Sequence, residues 1–447
     1  MKRLLLITLL FAGYTHAQDT VNVLFLGNSY TGSNNLPSIV FNLATNGGDH
    51  FTYDSSTPGG HTFNGHTTNT TSQSKIKQGG WDFVVLQEQS QIPSFPDGQV
   101  ATDCFPYAAD LNDTIEAYNP CGETCFYMTW GRENGDAGNC SVWPPVCTYN
   151  GMDSLLRKRY LEMADDNDAI VSPAGAAWRY VRLNNPSIDL YSPDGSHPSQ
   201  AGSYLTALCF YSVMYRKDPS LLTWDYNLST TEADYLRNAA KAVAYDSLEF
   251  WNVGKYDVTA DFNYTTTGNS VDVTNTSLYY DQISWDIDGT AYSSETVSHS
   301  FAGPGTYSIT LIAERCGKTD TLEQQVMVSG QLNTACDSLT VNCCSIETDG
   351  ANTVTLYASN ASSDLFDYPG FILLDGNGDT LAVETVNYFG IGTGPQAHVM
   401  DIINPINLPI TGELHLYSNF YGTLECIIPI TFSDSTLSIR ERTIRTI

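Results

Sequence analysis

The strongest constraint on this chain is a change of texture near Val253. Before it, short apolar runs alternate with segments of helical period. The runs fall at 21–27, 51–55, 83–86, 125–130 and 169–171, and helical segments at 36–44, 100–118 and 152–164 lie between them. The stretch 230–251 reads as a long closing helix with a threonine cap. Such alternation predicts a parallel sheet covered by helices on both faces, hence an α/β domain over 19–252. After Val253 the helical period disappears. Thr, Ser, Asn, Gly and Tyr dominate, with short alternating strands, which predicts all-β structure. Two β-sandwich units fit, at 254–330 and 331–435, followed by a short basic tail at 436–447 expected to be poorly ordered.

Charge narrows the partners. The 447 residues carry a formal net charge of −29, which excludes the basic footprint that nucleic-acid binding needs. It also disfavours adsorption to anionic membranes. Residues 1–17 combine a basic start, a short apolar run and a small-residue exit ending at Ala17, so a secretory signal peptide is expected there. That run is too short to span a membrane, and an exported, extracellular or cell-surface protein without a membrane span is expected. Eleven cysteines suit an oxidising compartment. The odd count leaves at least one thiol unpaired within the chain, and Cys209, in an apolar helical pattern, is the expected one. The cysteine spacings lack paired C-x-x-C units, so no zinc site, and no metal or cofactor at all, is expected.

The chemistry gathers at two places. Gly27-Asn28-Ser29 breaks the first apolar run, and Asp194-Gly-Ser-His197 stands just ahead of a helix start. A serine hydroxyl becomes a nucleophile when a base takes its proton. Histidine is that base near neutral pH, and a carboxylate fixes its tautomer. Ser29, His197 and Asp194 supply these parts. In parallel sheets ligands bind at the carboxyl ends of the strands, where Ser29 falls. The developing oxyanion then needs donors. Candidates are the backbone N–H of Ser29, that of Gly60 in the Gly59-Gly60 pair, and a side-chain amide from Gln87, Gln89 or Gln91.

These residues resemble the SGNH (GDSL-like) hydrolases over roughly 19–252. Gly27-Asn28-Ser29 matches the first block of that family, Gly60 the second, and Asp194 with His197 the last. The third block, Gly-x-Asn-Asp, is replaced here by Gln87-Glu-Gln-Ser-Gln91, so Gln89 is the first choice for the missing asparagine amide. The resemblance implies a three-layer α/β/α, flavodoxin-like fold and an acyl-enzyme mechanism with Ser29, Gly60 and Gln89 around the oxyanion. Residues 256–330 resemble a PKD domain, through Ser284-Trp-Asp-Ile-Asp-Gly289 and the stretch 299–311.

His61, His66, Trp130, Arg132 and Gln87 are further candidates for substrate contact. Two histidines without a carboxylate make a poor metal set. Asp375-Gly-Asn-Gly-Asp379 lacks the glutamate of a calcium loop and reads as a hairpin turn. The sequence reading is thus a secreted serine esterase acting on esterified polysaccharide or another ester, with glycan or cell-surface contact through the β domains. A lipase-type esterase and an inert glycan-binding or adhesion protein are the alternatives.

Overall fold

A computed structural model describes residues 20–328, 339–347, 352–361, 366, 368–384, 390–391, 393–407, 410–418 and 420–432. The expected signal peptide, Cys336 and the tail at 436–447 lie outside the described residues. The chain divides into two compact units, Met1–Asp257 and Val258–Ile447.

The first unit runs β1 (Val21–Leu26), α1 (Ser29–Gly32), α2 (Leu36–Asn46), β2 (Phe51–Ser56), α3 (Phe63–Thr68), α4 (Thr70–Gln78) and β3 (Phe83–Leu86). It continues with α5 (Asp97–Asp103), α6 (Phe105–Tyr118), β4 (Glu123–Tyr127), α7 (Tyr149–Asp166), β5 (Ile170–Ser172), α8 (Ala174–Asn184), α9 (Gln200–Tyr215) and α10 (Thr230–Val243). Five strands form one sheet in the order β2-β1-β3-β4-β5, with every pairing parallel. The α/β expectation holds. Strand residues such as Val84, Val85 and Leu86 are fully buried, as β-branched and aliphatic runs must be when helices cover both faces. The strand order reverses between β1 and β3. Their carboxyl ends therefore frame the crevice where open α/β sheets bind ligands, and Ser29 and Gln87–Gln89 follow those two ends.

Three boundaries differ from the sequence reading. The helix expected over 100–118 is two helices, broken at Cys104, whose backbone is non-helical (φ −127°, ψ −65°). Pro106 explains the restart, since proline suits the first turn of a helix and not its interior. The closing helix stops at Val243 and a 3₁₀ segment, Tyr245–Trp251, follows. Its cap is Ser229, which accepts from the Glu232 N–H, rather than a threonine. Cys209 is free and buried as expected, and among the described residues Cys104 and Cys125 are free and buried as well. Cys140 and Cys147 form a disulfide. No helix among the described residues is long and apolar enough to cross a membrane.

The second unit is antiparallel throughout. Strands β6 (Phe262–Thr267), β7 (Ser270–Asn275), β8 (Gln282–Ile287), β9 (Thr290–Tyr292), β10 (Thr296–Ser300), β11 (Gly305–Arg315) and β12 (Lys318–Val328) make two sheets, β10-β7-β6 and β12-β11-β8-β9. Trp285, Ile287, Ile309, Leu311 and Val326 from one sheet meet Phe262, Val271 and Val273 from the other in a common core. The remaining strands are β13 (Leu339–Glu347), β14 (Thr353–Asn360), β15 (Gly370–Asp375), β16 (Thr380–Glu384), β17 (Gln396–Ile402), β18 (Ile410–Ser418) and β19 (Thr423–Phe432). They hydrogen-bond in the single order β13-β14-β17-β16-β15-β18-β19 around a separate core. Asp375–Asp379 is the expected hairpin turn: Asp375 N–H donates to the Asp379 carbonyl, and Gly378 N–H to that of Asp375.

Candidate active site

Ser29 opens the single turn α1 directly after β1. Its Oγ lies 2.8 Å from His197 Nε2, and His197 Nδ1 lies 2.5 Å from Asp194 Oδ2. A serine, a histidine and a carboxylate are thus linked in the order that nucleophilic catalysis requires. The turn bearing Asp194 and His197 holds itself together. Asp194 Oδ1 accepts the N–H groups of Ser196 and His197, both at 3.0 Å, and Gly195 supplies the positive φ of 65° that the turn needs. Partial burial pushes the Asp194 carboxyl up, but hydrogen bonds from His197 and from the backbone of Ser196 and His197 outweigh it. The group sits below its ordinary value and stays ionised. With Nδ1–H committed to Asp194, His197 Nε2 is left to accept the serine proton.

Four residues lock the nucleophile turn. Gln87 is fully buried and its Oε1 accepts from Asn28 N–H (3.0 Å) and Thr31 Oγ1 (2.9 Å). Asn28 Oδ1 accepts from Tyr30 N–H, while Asn28 Nδ2 donates to the His61 carbonyl at 2.9 Å and ties in the glycine loop. Asn34, held at φ 55°, donates to the carbonyls of Pro198 and Ser199 and to Ser203 Oγ, which joins the serine segment to the histidine segment. Tyr30 donates or accepts at Ser196 Oγ (2.6 Å) and presents its ring to His197, centroids 5.3 Å apart.

The oxyanion candidates have distinct settings. Gly60 is exposed, has φ 68°, and nothing lies within 4 Å of where a Cβ would stand, so its backbone is open to a ligand. Gln89 is partly buried. Its Oε1 accepts from Gln91 N–H (2.8 Å), and one hydrogen of its Nε2 goes to Gln91 Oε1 (3.1 Å), leaving the second. Gln91 in turn donates to the buried carboxylate of Asp136 at 2.6 Å. Burial raises Asp136, but bonds from Asn139 and Gln91 and the charge of Arg132 keep it below its usual value.

Several expected substrate contacts are corrected by burial. Gln87 faces inward, as described. Trp130 is fully buried; it stacks on Trp178 at 3.5 Å and on Tyr30 at 5.1 Å, and its Nε1 donates to the Ser196 carbonyl. It is the floor under the histidine turn and has no face for a sugar. His66 is fully buried too. Its Nε2 donates to the Gly27 carbonyl (3.0 Å), so Nδ1 accepts from Ser72 Oγ (2.8 Å). Burial, reinforced by nearby His61, pushes its pKa down to about 4, so it stays neutral and supports the turn from beneath. His61 and Arg132 remain partly exposed; Arg132 pairs with Asp136 at 3.2 Å. Neighbouring Glu133 donates its N–H to the Gly195 carbonyl, so this loop borders the site.

The sequence reading passed over Asn28 as a bridge, Asn34 as a clamp, Tyr30, and Glu88. Glu88 is fully buried, and both carboxyl oxygens lie within 3.1 Å of Phe63 N–H. Burial pushes its pKa up to about 8. Position beside a recognised motif is the signal these residues share. Among the described residues no group of His, Cys, Asp and Glu side chains is arranged to hold a metal ion.

No protein-family model and no curated protein match the chain. Solved structures do. A Slackia heliotrinireducens protein assigned as an SGNH hydrolase is 26% identical, covering 44% of this chain and 100% of its own, with a TM-score of 0.37. A DUF4886 family protein from Bacteroides uniformis is 14% identical, covering 52% of this chain and 96% of its own, with a TM-score of 0.44. The PKD1 domain of the Vibrio cholerae metalloprotease PrtV is 30% identical over 16% of this chain and 95% of its own, with a TM-score of 0.15. Over its N-terminal half the chain is similar to SGNH hydrolases, and over a short further stretch to PKD domains.

Proposed function

We propose that the first unit is a serine ester hydrolase working through an acyl-enzyme. The observation that carries this reading is the continuous hydrogen-bonded chain Ser29–His197–Asp194. Ser29 Oγ attacks the ester carbonyl while His197 Nε2 takes its proton. The carbonyl oxygen becomes an oxyanion, received by the backbone N–H of Ser29 and Gly60 and the second amide hydrogen of Gln89. Collapse expels the alcohol, which takes the proton back from His197. Water, activated by the same histidine, then releases the acid and frees Ser29.

For the substrate we propose short acyl esters, acetyl foremost, on polysaccharide, met by a secreted enzyme whose β modules make glycan or surface contacts. A long-chain lipase reading is disfavoured by the site's own rim. The segments 27–34, 57–66, 87–92 and 194–198 carry no exposed large hydrophobic residue, whereas an extended acyl chain needs an apolar surface to cover it. A fluorophosphonate probe tests the mechanism directly: one adduct on Ser29, absent in Ser29→Ala, is expected. Labelling elsewhere, or none, argues for the inert binding protein. Acetate release from acetylated glycans that exceeds turnover of long-chain glycerides tests the substrate; the reverse ranking removes it.

A further inference from the structure

We propose that Glu88 is a positioning residue that fastens together the two loops bearing the Gly60 and Gln89 oxyanion donors. This rests on the esterase reading above. Glu88 stands between Gln87 and Gln89 at the carboxyl end of β3, at the switch point of the sheet. Its side chain is fully buried and forms no ion pair among the described residues. A buried carboxyl with no cation is costly, and a leucine would fill the space at no such cost.

What the carboxyl does there is specific. Oε1 and Oε2 accept from Phe63 N–H at 3.1 and 3.0 Å, and Oε1 also accepts from Gln89 N–H at 2.5 Å. Phe63 begins α3 and ends the loop that carries Gly60. Gln89 is the other donor's own residue. One side chain therefore bonds to both loops. The glycine loop is held at a second point, where Asn28 Nδ2 reaches the His61 carbonyl. Gln87 holds the nucleophile turn and Glu88 holds the remaining oxyanion elements, so adjacent residues fix the three donors in one frame. Oxyanion donors act by being placed before the charge develops, and a loosened frame costs rate more than substrate binding.

The test uses the full chain with Glu88→Gln and Glu88→Leu, assayed on p-nitrophenyl acetate. Active sites are counted by fluorophosphonate titration, and amide exchange is followed at Phe63 and Gln89. In glutamine an amide NH2 replaces one of the two oxygens facing the Phe63 N–H, so kcat per titrated site should fall about 10-fold, and about 10²-fold for leucine, with KM within about twofold. Exchange at both amides should quicken in Glu88→Gln even if the leucine variant fails to fold. An unchanged kcat per titrated site, or unchanged exchange at both amides, overturns the proposal while leaving Ser29-dependent turnover intact. A wild type without Ser29-dependent turnover removes the esterase reading and this inference with it.

Discussion

The two units bury polar groups in different ways. In the second, strands such as β7, β8 and β18 alternate, and among the described residues its buried polar side chains are few: Ser277, Asn360, Ser418 and the pair Glu384–His398. In the first, Asn28, Thr31, His66, Ser72, Gln87, Glu88 and Ser90 are all buried around the ends of β1 and β3. Burying a polar group costs free energy unless every donor and acceptor is met. The second unit mostly avoids that cost. The first accepts it in many places, Asp49, Asp153, Arg159 and Arg237 among them, and around the ends of β1 and β3 meets it with hydrogen bonds between neighbouring groups. Hydrogen-bonded burial of polar side chains fixes geometry, and around Ser29 it holds the nucleophile turn.

That contrast can be broken. The largest effect is expected from Ser29→Ala or His197→Ala: loss of kcat by about 10⁴-fold or more, with thermal stability near wild type. Asp194→Asn should cost less, about 10²-fold. Its carboxylate is half exposed (49%), and water can take over part of its role. Comparing kcat of the three variants against wild type checks the order.

In the second unit the expected signature is the opposite. His398 Nδ1 bonds Glu384 Oε1 at 2.8 Å, and the other Glu384 oxygen accepts from Phe371 N–H. His398→Ala should destabilise this unit by about 2 kcal/mol and leave esterase kcat unchanged. Calorimetry beside a rate assay reads both. A fall in kcat would join the two regions functionally and blur the comparison.

A smaller effect sharpens it through pH. His66 is held neutral, with its folded pKa at about 4, below the ordinary 6.5. Between those values the unfolded chain binds a proton that the folded chain does not. Stability should fall as pH drops from about 6.5 toward 4 and then level off. His66→Gln should show a shallower slope over that window in denaturant titrations. An identical slope would deny His66 its buried, neutral state.

Much of this was legible in the sequence because its signals are local. Apolar runs gave β1 and β3, and the alternation of Tyr307, Ile309 and Leu311 gave β11. Ser29, Asp194 and His197 stood out because the chemistry needs those residue types after a strand and before a helix. The departures came from contacts that no local pattern reports. Trp130 and Arg132 follow the same strand, yet only tertiary packing buries the first under Tyr30 and leaves the second at the surface. Gln87 and Gln89 are chemically identical and two apart, so a continued strand would turn both to one face; β3 ends at Leu86, and the loop backbone beyond it buries Gln87 and leaves Gln89 partly exposed. Glu88 drew no reading from the sequence, and its burial is met by the Phe63 N–H of a segment distant in sequence.

The most direct measurement is hydrolysis of p-nitrophenyl acetate by the purified full chain beside Ser29→Ala. The account predicts turnover in the wild type that disappears in the variant, with both proteins equally folded. Turnover that survives Ser29→Ala, or a folded wild type that hydrolyses neither this ester nor longer ones, would contradict it.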